Sequence, residues 1–120
     1  MALRALLLPA VLSVFALAAG QASAHARLAT SDPAANTTVA APKAIRLTFN
    51  EKLAPAFSTF ELATADGLKA AVKTSVSQDR KTIVGVPKGP LRPGVYKITW
   101  RAASADDGHR MDGAFIFTVK

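Results

Sequence analysis

Short runs of strand-forming residues, most of them alternating between apolar and polar, restrict the fold of this chain more than any other feature. They occupy residues 45–50, 60–62, 72–76, 82–86, 95–100 and 114–119. Alternation with a period of two indicates a sheet with one buried face. Turn residues separate the runs at 31–33, 65–67, 78–80, 87–90, 92–94 and 107–108. Short strands at this spacing predict an all-β fold, a small β-sandwich or barrel.

Apolar side chains within these runs supply the predicted core. The set consists of Phe49, Phe60, Ile83, Val95, Ile98, Trp100, Phe115 and Phe117. Trp100 is the only tryptophan, and we interpret it as a core residue rather than a ligand-stacking platform, because a tryptophan ring is a large apolar body with a single N–H to satisfy.

The first 24 residues have the pattern of a secretory signal peptide. Arg4 precedes an apolar run at 5–19, and small residues follow it up to Ala24. An uncleaved membrane anchor is the alternative, but the run is shorter than the roughly 20 residues that span a bilayer. Cleavage after Ala24 would make His25 the first residue of a single domain, residues 25–120. A second A-x-A pattern, Ala24-His25-Ala26, would instead leave Arg27 first.

Charge and cysteine content exclude several classes of function. The chain has 15 Lys and Arg, 8 Asp and Glu, and no cysteine, so it forms no disulfide and offers no thiolate to a metal. A basic balance can indicate nucleic acid, an anionic membrane or an acidic partner. Here the basic residues are scattered and form no block interleaved with aromatic residues. We therefore expect a solvated basic surface and no nucleic-acid partner.

Both histidines occupy positions that suit a metal ion. As a first residue, His25 would offer its α-amine and its imidazole to one metal. Asp107 and His109 are two residues apart, so in an extended segment they would project to the same side. Three nitrogens and one carboxylate oxygen suit Cu(II). Asp-Gly-His is also common in ordinary tight turns, and spacing does not reveal whether the N-terminus approaches residues 107–109.

The order of several motifs resembles that of the CopC family of periplasmic copper-binding proteins. The resemblance begins at His25-Ala26-x-Leu28-x-x-Ser31-x-Pro33-Ala34 and continues through Ile45-x-Leu47-x-Phe49-x-Glu51-x-Leu53. It then includes Pro93-Gly94-x-Tyr96-x-x-x-Trp100-Arg101. It ends with Ser104-Ala105, the Asp-Gly-His tripeptide, and Gly113-x-Phe115-x-Phe117-x-Val119. The family implies a Greek-key β-sandwich or barrel, Ig-like or cupredoxin-like.

The resemblance also implies a site. One Cu(II) per chain would be held by the amine and imidazole of His25, by Asp107 and by His109. Glu51 matches an acidic position considered a ligand in the family, and we rank it below the other three. The chain carries one residue more than the family spacing between Trp100 and His109, so Asp106 is a rival to Asp107. A bulge in that strand would absorb the extra residue.

Further expectations follow from the same resemblance. The chain lacks the methionine-rich segment that some members use for Cu(I), so it resembles the members with a Cu(II) site only. The family implies a periplasmic, non-enzymatic protein for copper buffering, delivery or resistance, with an inner-membrane CopD-type protein as partner. We expect a monomer without membrane insertion after cleavage.

Two other functions stay open at this stage. One is an oxygenase whose copper is held by an N-terminal histidine. The Asp107 carboxylate argues against an oxygenase, because it would fill the coordination position that oxygen needs. The other is a metal-free interaction module, since β-sandwiches host many unrelated functions.

Overall fold

A computed structural model describes residues 27–120 of the chain. It contains nine strands and one short 3₁₀ helix, Pro55–Phe57. The strands are β1 Leu28–Asp32, β2 Thr38–Val39, β3 Ile45–Phe49, β4 Thr59–Thr64, β5 Lys69–Ala70, β6 Val72–Val76, β7 Thr82–Pro87, β8 Gly94–Ala103 and β9 Arg110–Val119.

The strands form two facing sheets. One has four strands in the order β1-β3-β7-β6, and the other has five in the order β2-β9-β8-β4-β5. Neighbouring strands are antiparallel except β2 and β9, which run parallel. This arrangement confirms the predicted all-β sandwich. Within residues 27–120 we find no helix long and apolar enough to cross a membrane.

Six of the nine strands coincide with the predicted runs, and the longest two extend beyond them. Strands β8 and β9 each have ten residues, because they pair over their whole length from Gly94 with Val119 to Ala103 with Arg110. The strands β1, β2 and β5 were not predicted. Two of these are only two residues long, and β1 has no alternation of apolar residues, since its sequence is LATSD.

The core lies between the sheets. Phe49, Phe60, Ile83, Ile98, Trp100 and Phe117 are buried as predicted. Phe49 of β3 meets Trp100 of β8 edge to face, with ring centroids 5.1 Å apart, and so joins the two sheets.

Two residues of the predicted core are not fully buried. Val95 is 39% exposed, so its placement in the core was wrong. The even-numbered residues of β8 face inward, and the period of two therefore turns Val95 to the outer face, while Tyr96 is buried. Phe115 is half-buried and packs against the core from β9.

Candidate metal site

The loop 104–109 joins β8 to β9 and contains both predicted ligands that the structure describes. Its base is closed by two backbone hydrogen bonds, from Ser104 N to His109 O at 2.9 Å and from Gly108 N to Ser104 O at 3.0 Å. Ser104 is buried, and its Oγ accepts from Asp106 N at 3.3 Å. Gly108 has a φ of +70°, a conformation that glycine adopts without steric cost. The loop is therefore a closed turn that the buried Ser104 anchors at its base.

Asp107 and His109 are held together by the backbone. The His109 N–H donates to Asp107 Oδ1 at 2.9 Å, an Asx turn. This bond, with a smaller contribution from the nearby imidazole, lowers the pKa of the Asp107 carboxyl. The expectation of an extended segment was wrong, because the chain turns at residues 105–107 and the left-handed Gly108 follows. A turn brings the two residues together, and not the alternation of side chains along an extended strand.

The expected extra residue between Trp100 and His109 leaves no irregularity in the paired strands. The pairing of β8 with β9 is continuous from Gly94 to Ala103, without a register shift. The bulge considered as one way to absorb the insertion is absent from β8, and a loop between two strands accepts an added residue without disturbing the paired backbone. Both Asp106 and Asp107 are exposed in the loop, but only Asp107 is joined to His109 by a hydrogen bond that the structure specifies.

The segment 50–54 links the loop to the start of the described chain. Arg27 N donates to Asn50 Oδ1 at 2.6 Å, and Asn50 N donates to Arg27 O at 3.0 Å. Two residues further on, Lys52 O accepts from Ala105 N at 2.9 Å. Leu53 also forms a bridge with Ser104. One short segment thus contacts both the first described residue and the loop that carries Asp107 and His109.

Glu51 lies between these two contacts. Its side chain is half-buried, and its Oε1 atom is shielded from solvent without a hydrogen-bond donor among the described residues. A buried carboxylate oxygen in this condition favours a cation as its partner. The environment of Glu51 is therefore compatible with a nearby metal ion.

The described residues do not complete a metal site by themselves. Within residues 27–120, no three His, Asp or Glu side chains are grouped closely enough to hold a metal ion. Asp107 and His109 are brought together, whereas the third predicted ligand, His25, lies outside the described residues. The predicted signal peptide, residues 1–24, lies outside them as well.

Sequence reasoning missed the residues that shape the loop and its surroundings. Ser104 anchors the loop from a buried position, and the Asn50 side chain holds the Arg27 backbone. Asn50 follows β3 directly, and an Asn at the end of a strand is a common side-chain partner for backbone groups. The sequence contained that signal, but it did not specify which backbone group would be bound.

Comparison with known sequences places this chain beside copper resistance proteins. Residues 28–120 match the family model described as the CopC domain. Copper resistance protein C of Xanthomonas campestris pv. juglandis is 36% identical over 126 residues, which cover 99% of this chain and 98% of that protein. Copper resistance protein C of Escherichia coli is 40% identical over 108 residues, covering 82% and 84% of the two chains.

The fold of this chain is also similar to that of solved copper resistance proteins. The crystal structure of PcoC, a methionine-rich copper resistance protein from Escherichia coli, has a TM-score of 0.75 and 38% identity, and covers 81% of this chain and 100% of that chain. The structure of CopC from Methylosinus trichosporium OB3b has a TM-score of 0.73 and 28% identity, and covers 80% and 94%. Both comparisons extend over nearly all the described residues.

Proposed function

Because the chain belongs to the CopC family, we propose that it is an exported, periplasmic protein that binds one Cu(II) ion for copper buffering, delivery or resistance. Copper is its cargo, and the chain performs no catalysis. The proposed signal peptide is residues 1–24, and its removal after Ala24 would free the amine of His25.

The proposed donors are the amine and imidazole of His25, the carboxylate of Asp107 and the imidazole of His109. An N-terminal histidine can close a chelate ring on one metal, and two further side chains complete a set of three nitrogens and one oxygen. Cu(II) favours such a set in tetragonal geometry. Asp107 is suited to this role because its lowered pKa keeps the carboxylate charged in weakly acidic solution.

One observation carries the proposal, namely the double contact of segment 50–54. Arg27 is hydrogen-bonded to Asn50, and Ala105 is hydrogen-bonded to Lys52, two residues away. Two extended residues span at most about 7 Å, which is also the reach of the chain from Arg27 back to His25. These lengths allow an N-terminal His25 to meet the Asp107 and His109 side chains on one metal ion.

The oxidation state follows from the donor types. Cu(I) favours thiolate and thioether ligands, whereas the chain has no cysteine and Met111 is its only methionine after residue 1. Met111 is half-buried and packs against the core. Nitrogen and carboxylate donors therefore favour Cu(II), with the half-buried Glu51 as a further, weaker candidate donor.

A titration of the processed chain with Cu(II) tests the function directly. We expect one ion per chain, an electron paramagnetic resonance spectrum of nitrogen-rich planar coordination, and quenching of Trp100 fluorescence. His25→Ala removes the imidazole and one additional residue before His25 displaces the α-amine, so each change breaks the chelate and should weaken binding by at least about tenfold. The same residue added after Lys120 is the matched control.

Three outcomes would overturn the proposal. The first is unchanged Cu(II) affinity after both N-terminal changes. The second is a chain that binds no Cu(II), which would favour a metal-free interaction module. The third is rapid peroxide formation from ascorbate and oxygen, which would favour an oxygenase. A CopD-type membrane protein is the proposed partner, and a monomer is the proposed state.

A further inference from the structure

The two ends of the sandwich differ in charge. The metal end consists of Arg27 and the loops 50–58, 77–81 and 104–109. The far end consists of the loops 40–44, 65–68 and 87–94, together with Lys69 and Lys120. Strand pairing defines this division, since Gly94 pairs with Val119, Thr64 with Tyr96 and Ile45 with Gly85, all remote from the loop 104–109.

The far end has a larger excess of cations than the metal end. Counted with the adjoining ends of its strands, the far end has eight cations and three side-chain carboxylates: Lys43, Arg46, Lys69, Lys73, Lys88, Arg92, Lys97 and Lys120, with Asp32, Glu61 and Asp66. At the metal end, including the adjoining ends of β8 and β9, six cations face five carboxylates: Arg27, Lys52, Arg80, Lys81, Arg101 and Arg110, with Glu51, Asp79, Asp106, Asp107 and Asp112. The far-end Lys69 has an exposed partner, Glu61, at 3.7 Å.

Apolar side chains are also exposed at the far end. Leu68 is 65% exposed and follows Gly67 in the turn between β4 and β5. Val95, at the start of β8, is 39% exposed. Both border a groove of about 570 Å³ that is also lined by Lys88, Pro90, Arg92 and Pro93. Two cations, Lys88 and Arg92, therefore lie beside an apolar groove that is bordered by the exposed Leu68.

We propose that the far end binds the surface of an anionic phospholipid bilayer. Leu68 enters the headgroup region, and Lys88, Arg92 and Lys120 bind phosphate groups around it. Exposed apolar side chains ringed by cations are the usual combination for peripheral membrane binding, since burial and charge act together. The metal end then points away from the bilayer. This inference goes beyond the proposed function and does not depend on copper binding.

Co-sedimentation with vesicles tests the binding. The processed chain is mixed with vesicles of phosphatidylcholine alone or with an equal part of phosphatidylglycerol, at 20 mM and 500 mM salt. We expect binding to the anionic vesicles only, and its loss at high salt. Two outcomes overturn the proposal: equal binding to both vesicle types, and no binding to either.

Inorganic phosphate and polyglutamate, added at matched ionic strength, should not displace the chain. Full displacement by either identifies a soluble anion or an acidic protein as the occupant instead.

Variants of equal charge locate the surface. Lys88→Glu with Arg92→Glu should weaken vesicle binding at least about twentyfold, since each cation near an anionic surface contributes about fivefold. The backbone groups of these two residues keep their hydrogen bonds, from Lys88 N to Ala71 O and from Tyr96 Oη to Arg92 O. The control is Lys52→Glu with Lys81→Glu at the metal end, where we expect less than about a threefold change because of screening. Equal losses in the two variants would mean that net charge alone binds the vesicles.

Labelling tests the orientation of the chain on the bilayer. The chain has no cysteine, so Leu68→Cys and Ala105→Cys each provide a single site for a spin label at the two ends. Anionic vesicles should protect a label at residue 68 from a water-soluble relaxation agent and leave a label at residue 105 accessible. The reverse pattern, or equal protection, would overturn the proposal. Copper titration of the same samples reports separately on the proposed function.

Discussion

At the residue scale, the structure shows that the adjacent residues Asp106 and Asp107 have different surroundings, a difference that the sequence alone does not reveal. The Asp107 carboxylate accepts the His109 N–H, whereas the Asp106 backbone N–H is directed to the Ser104 hydroxyl. The Asx turn occupies one lone pair of Asp107 Oδ1, and a carboxylate has about four acceptor positions. Asp107 can therefore hold the turn and still bind a metal ion.

The comparison of Asp107→Asn with Asp106→Asn tests this choice. Asparagine can keep the Asx turn but removes the anionic donor, so we expect Cu(II) affinity to fall at least about tenfold for Asp107→Asn and to change little for Asp106→Asn. Because the His109 N–H holds the pKa of Asp107 below its ordinary value, its carboxylate stays ionised in weakly acidic and neutral solution. The loss should therefore be the same from pH 5 to pH 8, measured by competitive titration. A larger loss for Asp106→Asn would reverse the assignment.

Tyr96 offers a second test at the same scale. Its hydroxyl donates to Arg92 O at 2.8 Å, and its ring stacks on Phe117 with centroids 5.7 Å apart. Tyr96→Phe keeps the stacking and leaves the Arg92 carbonyl without this donor. We expect the free energy of unfolding to fall by about 1 kcal/mol, measured by urea denaturation with an unchanged slope. No loss would mean that water replaces the hydroxyl at the surface of the loop.

At the element scale, the contact between the sheets depends on small residues opposite large ones. Gly85 of β7 leaves space for the ring of Phe60 from β4 in the facing sheet, and within the five-stranded sheet Gly113 of β9 leaves space for the indole of its cross-strand neighbour Trp100. A Cβ at Gly85 would overlap the Phe60 ring and lie 2.9 Å from Val72 Cγ2. These glycines set how closely the two sheets and the aromatic side chains pack.

Gly85→Ala should therefore destabilise the sandwich. Overpacking of a filled core costs about 1–3 kcal/mol, and we expect a loss of this size in the free energy of unfolding. Gly89→Ala is the matched control, because no atom lies within 4 Å of the Cβ that it would add. The control should change stability by less than about 0.5 kcal/mol. Equal effects of the two substitutions in chemical denaturation would contradict the packing argument.

At the scale of the whole molecule, the proposed copper site links the N-terminus to the loop 104–109 across segment 50–54. A ligand that binds only the folded state raises its stability by mass action. The proposed site draws donors from sequence positions more than 80 residues apart, so unfolding separates them. Copper is thereby expected to act on the stability of the entire domain rather than on one hairpin.

Thermal unfolding of the processed chain measures this linkage. With free Cu(II) at about 100 times the dissociation constant, the stabilisation should be about 2.7 kcal/mol. It should decrease as the solution becomes more acidic, because protons compete for the amine and the imidazoles. The chain with one additional residue before His25 should keep its metal-free melting temperature and lose at least about half of the copper-induced shift. An undiminished shift in that chain would show that the N-terminus takes no part.

The sequence by itself determined the strand positions of the core, since period-two alternation and turn residues are local signals. It also identified Asp107, His109 and the pattern that makes His25 a candidate ligand. Only the tertiary structure decided that β8 and β9 pair without a bulge, that Asn50 contacts Arg27, and that Lys52 contacts Ala105. These features depend on which strands pair and in what register. Such pairings join residues distant in the chain, and the order of residues along a strand does not encode them.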